Sequence, residues 1–284
     1  MSLLITGGTG YIGSRLVKQL KKKDNSVFSV GIEDLNFLNY KEILEFFKKN
    51  NIKKIIHLGW DMGNDNKAIY NNIESLNNLI KSCDEIQIEK FIFISTNNVY
   101  GINNNREKFL EDDKLNVSEN NKYGISKYIG EKLCKYTLGD KSCIVRIADV
   151  YGANQNHGNL LKGIISNIEN KQNLKLYGEG KRERDYIYID DVIRGLEFIY
   201  KNDLSGIYNL GTGIGTSVKK IVDIFLKICK NNVGLDYVEV ENEDTSRVVL
   251  NVEKLKKLGF SSEITIEEGL RKIIKERGII NGKF

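Results

Sequence analysis

The chain has 284 residues, 40% of them apolar and 29% charged, the balance of a folded globular protein and not of a disordered one. Lys and Arg exceed Asp and Glu by 43 to 38, with Lys21–Lys23 the only short basic cluster, so no nucleic-acid surface is expected. No apolar run approaches the roughly 20 residues of a membrane span, and MSLLITGG lacks the basic start and cleavage site of a secretory leader.

The first half alternates strand and helix signals. LLIT at 3–6 reads as a strand, followed by a Gly-rich turn and a helix from about Gly13 to Lys22. VFSV at 27–30 is a second strand, Ile43, Leu44, Phe46 and Phe47 mark a helix, and IIHL at 55–58 is a third strand. Ile69, Ile73, Leu76 and Ile80 line one helix face before the strand FIFIST at 91–96. Ile125, Ile129, Leu133 and Tyr136 line another helix before CIVRIA at 143–148. Such alternation predicts an α/β fold, a parallel doubly wound sheet with helices on both faces. After Tyr151 helices are expected near 159–169, 191–200, 217–229 and 265–276, with strands at LKLYG (174–178) and LDYVEV (235–240). Cys83, Cys134, Cys143 and Cys229 show no CxxC spacing and the two histidines lie far apart. Neither a metal site nor a disulfide framework is expected, and a cytoplasmic location fits.

TGGTGYIG at 6–13 places Gly7, Gly10 and Gly13 between the first strand and the first helix. The glycines allow a tight turn, close approach of a pyrophosphate, and packing of helix on strand. Tyr11 and Ile12 then open a helix whose free N–H groups favour phosphate. This context makes the turn a dinucleotide site. The second strand ends at Val30-Gly31, without the acid that would bind an adenosine ribose; Glu33 and Asp34 follow. That absence favours NADP(H), with NAD(H) as the alternative, and Arg15 is a weak candidate for a 2′-phosphate.

Tyr123 and Lys127 form YxxxK, one turn apart on a helix face. An ammonium beside a phenol is expected to lower the phenol's pKa and fit it for proton transfer. STNNVYG at 95–101 follows a strand, and its Thr96 offers a hydroxyl to the same substrate oxygen.

Together these stretches resemble an extended short-chain dehydrogenase/reductase of the nucleotide-sugar epimerase, dehydratase and reductase group. The likeness runs from residue 3 to about 274 through IIHLG, KYGISK, VRIADVYG, LYGEGKRERDYIYIDDV, YNLGTG and LGFSSEITIEEGL. It implies a Rossmann-type sheet with a smaller C-terminal α/β substrate lobe. Residues 1–158 would bind the cofactor, with 185–210 contributing, and 159–284 would bind substrate across an interleaved boundary.

The resemblance makes Thr96, Tyr123 and Lys127 a catalytic triad, with Lys127 also on the nicotinamide ribose. Asp34 and Leu35 match the adenine-contacting pair. Leu58 and Gly59 match the strand end beside the cofactor, although the usual Ala-Ala after His-Leu is here Gly59-Trp60. Asn98, Asp149, Asn159, Leu160, Arg184 and Arg247 match substrate contacts, the arginines gripping a diphosphate. A homodimer through helices near 68–82 and 122–137, and a place in polysaccharide biosynthesis, are further implications.

Departures narrow the reaction. The 4,6-dehydratases resemble STDEVYG, whose Asp and Glu are here Asn97 and Asn98, and an amide cannot take up a proton. The GDP-fucose synthase type has a cysteine where Asn98 stands. His157 reads as a polar loop residue, and Asp149 stands where Asn is common. The short segment between the second and third strands resembles keto-sugar reductases. The expected activity is therefore NAD(P)H-dependent reduction of a nucleotide-linked 4-keto-sugar. A 4-epimerase is the alternative, and a non-catalytic redox sensor is a more remote one that Tyr123→Phe would distinguish.

Overall fold

The computed structural model describes residues 2–22, 26–63, 65–102, 107–155, 159–229 and 233–279, and His157 lies outside them. Runs such as Leu3-Leu4-Ile5 are buried throughout. A strand buries consecutive side chains only when it is covered on both faces. These runs form β1 (Ser2–Thr6), β2 (Val27–Val30), β3 (Ile52–His57), β4 (Lys90–Thr96) and β5 (Ser142–Ile147). Between them lie α1 (Tyr11–Lys21), α2 (Tyr40–Lys49), α3 (Asn66–Glu85) and α4 (Lys122–Leu138).

The chain continues through β6 (Asp149–Tyr151), α5 (Asn159–Glu169), β7 (Leu174–Tyr177), β8 (Glu183–Tyr188), α6 (Ile189–Lys201) and β9 (Gly206–Leu210). It ends with β10 (Gly215–Ser217), α7 (Val218–Ile228), β11 (Leu235–Val238), β12 (Arg247–Val248), α8 (Glu253–Lys257) and α9 (Ile266–Glu276).

The main sheet has six strands in the order β2-β1-β3-β4-β5-β9, and its pairings are parallel. Sequence periodicity singles out only β7 and β11 after Tyr151; the structure adds β6, β8, β9, β10 and β12. Strands β6, β10 and β12 have only two or three residues, and all five are held by partners distant in sequence, so local alternation carries little of them.

Alternation sorts the core. Leu4, Ile55, Phe91 and Ile144 point with Phe47, Leu76, Cys83 and Cys134 into the layer under α2, α3 and α4. Leu3, Ile5, Ile92, Val145 and Ile147 point the other way, to Leu16 and Leu20 of α1 and to Val192 and Leu196 of α6. A one-residue slip would exchange the two sets, so register is strongly fixed. The smaller unit centres on β8, which pairs with β10 antiparallel and with β12 and β6 in parallel. Since β6 leaves directly from β5, the C-terminal end of the main sheet abuts β8. That junction positions the site.

Candidate active site

At the end of β1, Gly7 adopts φ +68°, and a Cβ there would lie 2.6 Å from the Gly59 amide nitrogen. A Cβ at Gly13 would be driven into the Gly7 carbonyl oxygen. Both contacts require glycine. Helix α1 starts at Gly10 with no side-chain cap and no acidic residue in its first turn. The N–H groups of Tyr11, Ile12 and Gly13 therefore face outward with the helix's positive end. The buried Tyr11 hydroxyl has no partner among the described residues. A narrow glycine cradle, open donors and an orphaned hydroxyl fit a dinucleotide pyrophosphate.

The tip of β2 is less bare than the sequence suggests. The Asp34 carboxylate folds back and accepts a hydrogen bond from the Gly31 N–H at 2.8 Å. Leu35 is buried with Val30, Ile43 and Phe47, so its side chain belongs to the core. Arg15 does not reach this tip. Its guanidinium donates to the carbonyls of Tyr11 and Ala153 at 2.9 and 3.0 Å and lies over the Tyr11 ring, which removes it as a 2′-phosphate ligand in this arrangement. On the other side of the cradle, Gly59 N donates to Thr6 Oγ1, which also bonds His57 Nδ1, and Leu58 N donates to the Thr6 carbonyl.

Thr96 ends β4, and the chain turns at once through a short 3-10 turn at Asn97–Tyr100. The Thr96 hydroxyl accepts from Asn98 N and donates to Asn97 Oδ1 at 3.2 Å. Asn97 Nδ2 in turn donates to Asp149 Oδ1 at 3.0 Å. Thus Thr96, Asn97 and Asp149 form one relay from β4 to β6, while the Asn98 side chain is exposed.

Helix α4 begins beside them, capped by Asn121, whose side chain accepts from Gly124 N. Tyr123 and Lys127 sit one turn apart, with the Lys127 ammonium 6.0 Å from the Tyr123 ring centre. Lys127 is buried and donates to the Ile94 carbonyl at 2.6 Å. Its pKa falls to about 7, because burial disfavours the charge more than Cys134 and Glu131 support it. The Tyr123 phenol is pushed up to about 12 by burial, opposite to the lowering expected from YxxxK. The ammonium is spent on Ile94 and on an indole face, so desolvation decides.

Beneath this pair, Arg146 of β5 holds Glu131 of α4 with two bonds, Nε to Oε1 at 2.9 Å and Nη2 to Oε2 at 2.8 Å. Ser95 also donates to Glu131, and Tyr100 links Arg146 to Asn209 of β9. This buried network locks α4 onto β4, β5 and β9.

Across the junction, a cavity of about 380 Å³ is lined by Leu160, Ile164, Tyr177, Arg182, Glu243 and Asp244, among others. Asn159 opens α5; its side chain lies outside the described set. Arg184 donates to the carbonyls of Glu183 and Ser246 and to the Ser246 hydroxyl. Arg247 pairs with Glu183 at 2.9 Å and donates to the Glu107 carbonyl. Both are thus engaged within the protein. The residue that sequence reasoning missed is Arg182, whose Nε has no partner among the described residues. Period two extended one residue before β8 would have found it, because it places Arg182 on the face of Arg184 and Tyr186. Asp149 faces these arginines, yet burial raises its carboxyl above the ordinary value, against the Asn97 bond and the attraction of Arg184 and Arg182.

The comparisons agree with this geometry. The model of the NAD dependent epimerase/dehydratase family matches residues 3–211, and the chain belongs to that family. Its members here are extended short-chain dehydrogenase/reductases, NAD(P)-dependent epimerases, dehydratases and reductases of nucleotide sugars. The chain is 28% identical to a dTDP-D-glucose 4,6-dehydratase of Dictyostelium discoideum over 95% of its length and 80% of the relative's. It is 27% identical to a dTDP-4-dehydro-6-deoxyglucose reductase of Escherichia coli, with 96% of each chain covered. Among solved structures it matches a Thermus thermophilus UDP-glucose 4-epimerase in complex with NAD at TM-score 0.84 and 23% identity, covering 99% and 100% of the two chains. Similar identities thus span three reaction types, so the choice among them falls to the site. Among the described residues no helix is long and apolar enough to cross a membrane.

Proposed function

We propose that this protein reduces the keto group of a nucleotide-linked 4-keto-sugar, with Thr96, Tyr123 and Lys127 as catalytic residues. The observation that carries the reading is that the turn after Thr96 offers no proton-abstracting side chain at its first two positions. Asn97 and Asn98 are amides, and burial holds the Tyr123 phenol neutral, with its pKa near 12. A reductase needs its tyrosine protonated at the start; a 4-epimerase must first ionise it to take a proton from the substrate.

The glycine cradle would hold the pyrophosphate of a reduced nicotinamide dinucleotide, which when bound would supply the hydride. Tyr123 donates its proton to the oxygen that becomes the alcohol. Lys127 supports the phenolate left behind, and Thr96 donates a hydrogen bond to the same oxygen as negative charge develops there. On the substrate side, Arg182, Arg184 and Arg247 attract the diphosphate, and the cavity beside Leu160 takes the nucleoside. Asp149 and Asn97 then lie between diphosphate and keto carbon, where they contact the sugar.

We further propose NADPH over NADH. Gly31 presents no side chain to a 2′-phosphate, whereas the Asp34 carboxylate bonded to its N–H is the feature of that tip that would favour NADH. Exposed Tyr70 on α3 and Tyr136 on α4 suit a homodimer through those helices, which analytical ultracentrifugation would check.

The test has two parts. Freshly purified protein is denatured and any released nucleotide identified by mass spectrometry. It is then assayed for NADPH oxidation on a panel of nucleotide-linked 4-keto-6-deoxysugars. The proposal expects an empty or exchangeable site, tighter binding of NADPH than NADH, and turnover on a panel member. Stoichiometric NAD with no net oxidation would replace the reductase with an epimerase.

A further inference from the structure

The segment after β3 carries the chain's sole tryptophan, Trp60. Its ring lies under the buried ammonium of Lys127, 4.1 Å from the ring centre. Phe93 stands 4.9 Å from the same nitrogen. Among the described residues no carboxylate forms an ion pair with Lys127, and its one hydrogen bond goes to the Ile94 carbonyl. A buried cation with no carboxylate in contact is favoured by such quadrupoles, here beside the more distant support of Glu131.

The indole is itself fixed. Its Nε1–H donates to Ser126 Oγ at 3.1 Å, and Ser126 donates to the Tyr123 carbonyl at 2.9 Å. Its edges meet Phe93 and His57, at 5.4 and 5.9 Å between ring centres. Gly130 makes room for it, since a Cβ there would lie 3.1 Å from Trp60 Cη2 and closer still to Phe93.

We infer that Trp60 is a positioning residue: its ring face holds the Lys127 ammonium while its N–H ties down the turn that bears Tyr123. One side chain from beyond β3 thereby sets both members of the pair. The inference rests on the reading of Lys127 as part of the catalytic triad. Its test, however, is made on the protein without cofactor or substrate.

Other groups face Lys127 from each packed element. His57 of β3 is held neutral, its pKa pushed down to about 3 by burial and by Lys127. Tyr123 titrates near 12, and burial raises the Cys134 thiol far above its ordinary value. Glu131 is bound by Arg146 and Ser95. Between pH 5.5 and 9 the group in contact with the ring face that changes charge is therefore Lys127.

Trp60 emission reports on it directly, because no other tryptophan is present. The wild type is expected to show one step in emission with a midpoint near pH 7, absent in Lys127→Met. A flat profile, or a step that persists in Lys127→Met, would overturn the inference. The midpoint of Lys127 is then followed in Trp60→Leu and Trp60→Phe by pH-dependent acylation with acetic anhydride, read at the Lys127 peptide by mass spectrometry. Leucine removes the quadrupole but keeps an apolar wall, so the midpoint should fall by about half to one and a half pH units. Phenylalanine should recover most of that shift. Equal midpoints in wild type, Leu and Phe variants would reduce Trp60 to packing and overturn the inference. Loss of turnover in Trp60→Leu should appear in kcat with KM little changed. If the emission step is present while the enzyme is inactive on every keto-sugar tried, the placement of Lys127 by Trp60 is supported and only the reaction is at fault.

Discussion

The two sides of the junction are built differently. On the sheet side, Gly7, Gly59 and Thr96 lie at or within two residues of the ends of β1, β3 and β4, and Lys127 lies in the second turn of α4. On the β8 side, Arg184 and Arg247 take theirs from Glu183, Ser246 and Glu107, partners as far as 140 residues away. In the first region a residue's place follows from its own stretch of sequence, although its contacts, such as Lys127 with Ile94 and Trp60, do not. In the second both follow from which strands happen to pair.

The largest effect belongs to the sheet side. Tyr123→Phe removes the donated proton and should lower turnover by about 10²- to 10⁴-fold. NADPH affinity, measured by fluorescence titration, should be unchanged. If turnover survives, the proton comes from elsewhere, with Asp149 the first group to examine. Stability answers to the layer below. Glu131→Gln leaves the Arg146 guanidinium buried beside a neutral amide and should cost about 3 kcal/mol or more in urea unfolding. A loss under 1 kcal/mol would mean that Tyr100 and the Glu111 carbonyl alone satisfy Arg146.

That contrast explains how far sequence reading reached. The glycine turn, Thr96 and the Tyr123-Lys127 pair were legible because each motif lies within one strand-turn-helix unit. The direction of the Tyr123 pKa was not, since it depends on the Trp60 face and the Ile94 carbonyl, which draw the ammonium aside. Nor was the Asp34 bond to Gly31, which requires the turn after β2 to close on itself. Arg182 does not stand out in KRERDY because a cluster of charges does not reveal which member keeps a buried donor unsatisfied. β9 was hidden among glycines, and its place at the sheet edge rests on pairing with β5.

The arginines sharpen the comparison at a smaller scale. Arg182→Gln removes a guanidinium whose buried Nε has no partner among the described residues and should raise KM about 10- to 100-fold, with only a small loss of Tm from its bond with Tyr186. Arg184→Gln should raise KM as well, but also cost about 1–3 kcal/mol of stability, because the Ser246 carbonyl loses its donor. Equal Tm losses in the two variants would show that Arg182 is as much a structural tie as its neighbour.

The smallest effect tests the relay that joins the two sides. Burial raises the Asp149 carboxyl above its ordinary value, so the folded chain holds that proton more tightly than the unfolded one. Stability from this group is therefore complete at acid pH and is lost as pH rises through the ordinary carboxylate range and beyond. Asp149→Asn removes the titration while keeping an acceptor for Asn97 Nδ2. The variant should match the wild type at pH 4 and exceed it in Tm by about 2 °C at pH 8, read by calorimetry. A variant less stable than wild type at pH 8 would reverse the balance. Arg182 and Arg184 would then draw more from the Asp149 charge than burial takes away, and the relay would run from a carboxylate and not from an acid.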